Sequence, residues 1–246
     1  MRPIDITAVI NGHSEGLIAV SSLRSMVAAA ALAGNHGLNV ELLAILDRPD
    51  ALTAEVFDEF ASQHPQLRVV KVDLGDVGYA RNFGAQTARG KWTSFLDADD
   101  LWCEDWLLAA YTAAEGEQRE VVWHPDVNVL FGATPHIYTH MDMDDPLFEI
   151  ALVAFTNPWT SLSFVRTEFL RSVPYTGTHL NQNIGYEDWS WNIDAIDRGA
   201  IHKIVPDTAH SIRTKLVSLV KRTTAAGCIN RPTDFLRRQI MAKTID

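Results

Sequence analysis

The residues with the clearest chemical potential in this chain are acidic. Asp47 follows the apolar run Val40–Leu46, and Asp97, Asp99 and Asp100 follow Lys91–Leu96. Glu187 and Asp188 open a stretch of helical spacing. Side chains two apart on extended backbone point the same way, so Asp97 and Asp99 can face one ligand. Carboxylates gathered in one place repel unless a cation or ligand hydroxyls compensate them. Hard oxygen donors suit Mg2+ or Mn2+, which take few protein carboxylates and complete their shell with phosphate oxygens and water. The chemistry implied is a bound pyrophosphate. Plainer roles compete with it: Asp99 or Asp100 can cap a helix over Glu104–Ala114. Glu187 and Asp188 equally suit a helix N-terminus through the macrodipole.

These acids need elements to position them. Short apolar runs at Ile4–Ile10, Val40–Leu46, Leu67–Val72 and Lys91–Leu96 predict strands. Helical patterns lie between and after them at Gly16–Ala33, Ala51–Gln63, Tyr79–Ala88 and Glu104–Ala114. Such alternation predicts an α/β fold with a mostly parallel sheet covered on both faces. In open α/β sheets ligands bind beyond the carboxyl ends of the strands, where Asp47 and Asp97 fall. The second half is less regular, with strands expected at Val121–Leu130, His136–His140, Thr160–Val165 and Ile201–Val205. Helical spacing over Glu187–Arg198 puts Trp189, Ile193 and Ile196 on one stripe. A basic helical region, interrupted near Gly227 and Pro232, ends the chain.

Residues 78–100 read GYARNFGAQTARGKWTSFLDADD, and 185–199 read GYEDWSWNIDAIDRG. The first resembles the signature of family 2 glycosyltransferases: a glycine, an Arg-Asn pair opening a helix, an Ala-x-Gly turn, an apolar strand and Asp-Ala-Asp-Asp. The second resembles the family's Glu-Asp motif with its aromatic helix and glycine turn. The opening ITAVINGHSEG is similar to the family's first strand and loop, which puts Asn11 among the nucleotide contacts. Asp47 stands where the family keeps an acid that contacts the base, although Arg48-Pro49-Asp50 replaces the usual second Asp and Gly-Ser stretch. His210–Leu219 resembles the tail segment in which a His or basic residue reaches the diphosphate or the metal. The resemblance runs from about Ile4 to Leu219 and is loosest over Val122–Ser161.

The resemblance implies a GT-A-type, Rossmann-like fold with a mixed extension and a C-terminal helical tail. It implies a single domain over residues 1–246: a nucleotide-binding half at 1–120, an acceptor-side half at 121–212 and a basic tail at 213–246. The implied activity is inverting, metal-dependent transfer of a sugar from a nucleotide sugar, UDP-linked most commonly, to a glycan or glycolipid hydroxyl. Asp188 would be the catalytic base, assisted by Glu187. Asn11, Asp47, Arg81, Asp97, Arg213 and Lys215 would bind the donor. Asp99, Asp97 and His210 would hold Mn2+ or Mg2+. Trp191 and Tyr186 are the candidates for acceptor stacking, with Trp159 a weaker one, whereas Trp189 is more at home in a core.

Composition narrows the alternatives. At 246 residues the chain suits one domain with a full core. Lysine and arginine number 21 against 31 acidic residues, so the formal charge is −10, which argues against nucleic acid as a partner. Positive charge gathers in the tail, where Arg213, Lys215, Lys221, Arg222, Arg231, Arg237, Arg238 and Lys243 face Asp234 alone. Such a run is usually a solvated helix face, but it also suits peripheral contact with an anionic membrane. Two distant cysteines without metal-ligand spacing and an N-terminus lacking a signal-type apolar segment predict a cytoplasmic protein. The loop NGHSEG lacks the basic phosphate loop of a nucleotidyltransferase and the G-x-G-x-x-G of a dinucleotide-binding enzyme. A catalytically degenerate module that only binds a nucleotide or glycan is the other alternative. The retained acids argue against it.

Overall fold

β1 (Ile6–Gly12) and β2 (Val40–Asp47) are apolar along nearly their whole length because both of their faces are covered. Ile6, Ala8 and Ile10 pack with Leu42, Ala44 and Leu46 on one face, while Val9, Leu43 and Ile45 turn to the other. Burial on both sides is characteristic of parallel strands. β3 (Leu67–Val72) lies beside β2 and β4 (Trp92–Asp97) beside β1, all parallel. The first face is covered by α1 (Ala19–Asn35), α2 (Ala51–Gln63) and α4 (Trp106–Glu115). The second carries α3 (Val77–Thr87), α5 (Thr167–Ser172) and α6 (Glu187–Asp197). This computed structural model describes residues 2–242, so the last four residues of the expected tail, 243–246, lie outside the described residues.

The sheet continues with β5 (Leu101–Trp102), β6 (Val121–Gly132), β8 (Phe164–Arg166) and β9 (Ile201–Thr214), in the order β3-β2-β1-β4-β8-β6-β9-β5. β7 (His136–Thr139) pairs with β6. β6 and β9 are parallel, whereas β8 joins β4 and β6 antiparallel, which gives the expected mixed extension. Beyond the sheet lie α7 (Leu219–Ala225) and α8 (Asp234–Ala242). The segment Gly16–Asn35 is long and apolar enough by composition to cross a membrane, with mean hydropathy 1.6. Its stripe of Ala19, Leu23, Met26, Ala29 and Ala33 is fully buried on the sheet, as in a core helix.

Several boundaries differ from expectation. β9 was expected to stop at Val205 but continues to Thr214. Past a bulge at Pro125/Val127, Ala209 to Thr214 pair with Val127 to Gly132, and the polar Asp207, Thr208, His210 and Ser211 disguise that continuation. The tail therefore leaves the sheet after Thr214 rather than before Arg213. β8 is shorter than the expected Thr160–Val165 and leads directly into α5, a helix too short to show a period. α3 starts at Val77 because Asp76 caps it, its carboxylate accepting the Gly78 and Tyr79 N–H groups. The Trp189, Ile193 and Ile196 stripe does pack together, against Val153, Trp159 and Phe235.

Between β6, β9 and residues 157–160 lies a buried histidine cluster. His140 Nδ1 is 2.7 Å from the Pro125 carbonyl, and its Nε2 accepts the Thr160 N–H at 3.0 Å. His202 Nε2 faces the Asn192 carbonyl at 3.3 Å, and its Nδ1 lies 2.9 Å from His124 Nε2. A carbonyl only accepts, so His140 carries its proton on Nδ1 and His202 on Nε2. Trp159 stacks on His202 with ring centroids 3.9 Å apart. Burial pushes His140 down to about 4 and His202 down to about 3, with His124 well below the usual imidazole range. The unfolded chain takes up these protons near pH 6.5, whereas the folded chain resists until pH 4 or below. Stability is thus present above pH 6.5 and falls as pH drops toward 4, by about 3 kcal/mol for each of His140 and His202. We expect Tm to decline steeply between pH 7 and 4.5, and less steeply in His202→Asn relative to that variant's own value at pH 7. An unchanged slope in the variant would count against this account.

Candidate active site

The acidic segments meet through Arg81. This arginine sits on the buried face of α3 and is only 2% exposed. Its Nη2 donates to both Asp97 oxygens at 3.2 Å and to Ser161 Oγ at 2.9 Å, while Nη1 donates to Glu187 Oε1 at 3.0 Å. The guanidinium also lies over the Tyr175 ring, 5.7 Å from its centroid. Arginine fits this task because its planar fork holds several acceptors at once and keeps its charge when buried. The sequence expectation put Arg81 at the donor; in the folded chain its Nη groups hold two carboxylates and a hydroxyl out of reach of solvent, while its buried Nε has no partner.

Glu187 and Asp188 open α6, whose preceding residue, Tyr186, adopts a left-handed conformation with φ 57°. Asp188 Oδ1 accepts the Trp189 N–H at 2.8 Å and Oδ2 accepts Asn157 Nδ2 at 3.2 Å. Asn157 is held in turn by Asn192, whose Nδ2 donates to its Oδ1 at 2.9 Å. Burial raises the Asp188 carboxyl above the ordinary range, opposed by the Arg81 charge. Burial and the neighbouring Asp188 push Glu187 up to about 7, again opposed by Arg81. A half-buried carboxylate with a raised pKa and a fixed rotamer suits a general base. Tyr186 stands beside it, half-buried, with its hydroxyl 2.9 Å from Thr224 Oγ1.

The Asp97–Asp100 turn closes the other side. Asp99 is met by Lys215 Nζ at 2.6 Å and Arg213 Nη1 at 3.6 Å. Asp100 Oδ1 accepts the Arg213 N–H at 2.7 Å, and burial, with Asp97 and Asp99 nearby, lifts its carboxyl well above the usual range. Neither acid caps α4, whose N-cap residue is Asp105 and which has no side-chain cap. Asn11, at the end of β1 and in register with Asp97, is 7% exposed, and neither its Oδ1 nor its Nδ2 has a partner. A buried amide without partners is costly unless a ligand supplies them.

The expectations for His210 and Trp191 change in the folded chain, and Asp47 has a local role besides the one expected of it. Asp47 accepts backbone N–H groups from Leu74, Gly75 and Asp76, so its carboxylate organises that loop. His210 is fully buried, 4.5 Å from the Trp106 ring centroid and 6.3 Å from that of Trp102, with burial holding it in the neutral form. The structure thus packs His210 under aromatic rings instead of placing it with Asp97 and Asp99. Trp191 is 2% exposed, stacks on Tyr175 with centroids 4.9 Å apart and donates to the Val173 carbonyl, so it belongs to the core and cannot receive a sugar. Trp159 is equally enclosed.

Among the described residues no group of three His, Cys, Asp or Glu side chains is arranged to hold a metal. The donors that do converge are few and all oxygen. Asp99 already draws two cationic groups, and Asp97 keeps about a third of its side chain open. That set fits a hard divalent ion that takes its remaining ligands from phosphate and water, and it fits no His-ligated site. Sequence reasoning missed Asn157, Ser161 and Glu15. The first two lie in the stretch of loosest resemblance, and Glu15, whose carboxyl is raised by burial, feels the charges of Asp99 and Lys215 across the first loop.

A family model described as Glycosyl transferase family 2 matches residues 19–157. EpsH of Bacillus subtilis is 25% identical over 84 residues, which are 34% of this chain and 24% of EpsH. The glycosyltransferase GlyG of Streptococcus pneumoniae is 26% identical over 85 residues, 34% of this chain and 28% of that protein. The chain thus spans about a quarter of the length of the curated relatives it matches. Among solved structures, S. aureus TarS 1-349 in complex with UDP-GlcNAc superposes with a TM-score of 0.67 at 15% identity, over 94% of this chain and 63% of that one. GalNAc-T7 with UDP, GalNAc and Mn2+ gives 0.62 at 17% identity, over 92% and 48%. These likenesses establish the fold as GT-A.

Proposed function

The chain belongs to glycosyl transferase family 2, and from that membership we propose that it moves a sugar from a nucleoside-diphosphate sugar to an acceptor hydroxyl with inversion. The observation that carries the proposal is the single buried guanidinium of Arg81, which ties the Asp97 strand end to the Glu187–Asp188 helix start. It holds Asp97 and the neighbour of the candidate base on the two arms of one guanidinium. A UDP-linked donor is favoured, as in the solved relatives whose structures hold UDP or UDP-GlcNAc.

In this reading Asn11 offers its unpartnered amide to the nucleotide, and Arg213 and Lys215 turn toward the diphosphate. Asp99, with Asp97, would hold Mn2+ or Mg2+, which supplies positive charge against the leaving diphosphate. Asp188 receives the proton of the attacking hydroxyl, and Asn157 keeps its carboxylate aimed. Glu187, shared with Arg81, fixes the start of the helix that carries the base. Tyr186 flanks the acceptor, a glycan or glycolipid.

The test is release of nucleoside diphosphate from a panel of nucleotide sugars, with and without Mn2+. A module that only binds would show calorimetric heat with a donor and no release. Asp99→Ala is expected to weaken Mn2+-dependent donor binding by about 10- to 100-fold, the worth of one charged contact. Unchanged affinity in calorimetry would remove Asp99 from the donor site.

A further inference from the structure

The surface that follows Arg213 and Lys215 is apolar where an acidic protein would ordinarily be charged. After Thr214 the chain reads Lys215-Leu216-Val217-Ser218-Leu219-Val220-Lys221-Arg222. Leu216 is 84% exposed, Val217 74% and Val220 56%. A second segment joins them. The β6–β7 hairpin exposes Val129, Phe131 and Ile137, the last at 71%. Val129 pairs with Ile137, and Phe131 pairs with Arg213 across the β6–β9 ladder, which places these side chains on one face. The hairpin turn is tied to the start of the tail, since Thr214 accepts the Ala133 N–H at 3.0 Å through its carbonyl and the Thr134 N–H at 2.8 Å through Oγ1.

Single exposed apolar residues are ordinary on a protein surface, but several drawn from two segments tied together at Thr214 mark a contact surface. Charge identifies the partner. The chain carries −10 overall, yet residues 208–233 contain no Asp or Glu. Lys221 and Arg222 are exposed and enter no ion pair among the described residues. Apolar side chains flanked by exposed cations, of which Lys221 touches only the Lys215 carbonyl, match the boundary between acyl chains and anionic headgroups. We propose that residues 215–222 and the β6–β7 hairpin dock this protein on an anionic lipid bilayer. Lys215 reaches Asp99 from the same segment, so docking would set the mouth of the cleft at the lipid surface. The proposal deepens the sugar-transfer reading by assigning the acceptor to the lipid-linked class, and it rests on that reading only for this last step.

Sedimentation with vesicles of phosphatidylcholine alone, and of phosphatidylcholine with phosphatidylglycerol, tests the proposal. The protein is expected to partition onto the anionic vesicles and not onto the neutral ones. In the double variant L216E/V217E, partitioning should fall by about 100-fold or more, the worth of two buried aliphatic side chains. Lys221→Glu should also weaken it, and more so at low salt. Binding unchanged in the double variant, equal binding to both vesicle types, or no binding to either would overturn the proposal. So would a wild-type dimer that L216E/V217E dissociates while vesicle binding stays the same. Donor hydrolysis without vesicles should be unaltered in L216E/V217E, so failure here is distinguishable from failure of the sugar-transfer reading.

Discussion

Asp188→Asn is expected to lower sugar transfer by about 10²- to 10⁴-fold, the usual contribution of a positioned general base. Donor binding, read by calorimetry, should stay within about twofold of the wild type, because a charged contact to the donor would be worth more than that. The variant should fold normally. Asparagine has one acceptor oxygen where the carboxylate uses two, so it keeps the Trp189 N–H and loses the Asn157 contact, a cost of about 1–3 kcal/mol that leaves the fold intact. Because burial raises the Asp188 carboxyl, the acid limb of kcat/KM should lie above the ordinary aspartate range, with activity rising as the carboxyl ionises. Transfer near the wild-type rate in Asp188→Asn would assign the proton to another group, and Glu187 would be the first to examine.

Arg81→Ala should have the largest effect on stability, a loss of about 3–5 kcal/mol, typical of removing one partner from a buried charge network. The cost arises because Glu187, 9% exposed, is left without its counter-charge beside Asp188, and Ser161 loses its donor. Its pH dependence follows from the acids. Glu187 titrates at about 7 in the folded chain against 4.5 ordinarily, so whatever favours its neutral form is fully present below pH 4.5 and is lost as pH rises through 7. Without Arg81 the ionised forms become costlier, so the penalty should be greater at pH 8 than at pH 5. Arg81→Lys should recover only part of the loss, since one ammonium cannot span Asp97, Ser161 and Glu187 as the fork does. Denaturant unfolding at the two pH values measures this. Equal losses at both would mean that packing over Tyr175, not charge, is what Arg81 contributes.

The parallel half of the fold was legible because its strands are buried on two faces and bounded by turns, as Val40–Leu46 illustrates. The continuation of β9 was not. Its polar residues Asp207, Thr208, His210 and Ser211, two of them buried, read as loop until their partners on β6 are known. The acids were likewise visible as types at strand and helix ends, while their wiring was not. Nothing in the spacing of Arg81 shows that its side chain turns inward to join Asp97 and Glu187, 106 positions away along the chain. His210 and Trp191 went astray for one shared reason. Residue type made them plausible ligands, but strand and helix direction aimed both into the core, beneath Trp106 and against Tyr175. Asn157 was invisible because an amide that aims a carboxylate carries no signal of its own in a single sequence.

The length of β9 has a consequence for how this chain can diverge. One strand, bulged at its middle, holds His202 among the interior imidazoles at its beginning and Arg213 beside Asp99 at its end. Adding or deleting a single residue between Ala209 and Arg213 would send each later side chain to the opposite face, withdrawing the cation from Asp99 and thrusting it toward the interior. Evolution can lengthen the turn at 133–135 or the exposed stretch at 145–147. Insertions and deletions within those five residues of β9 are closed to it.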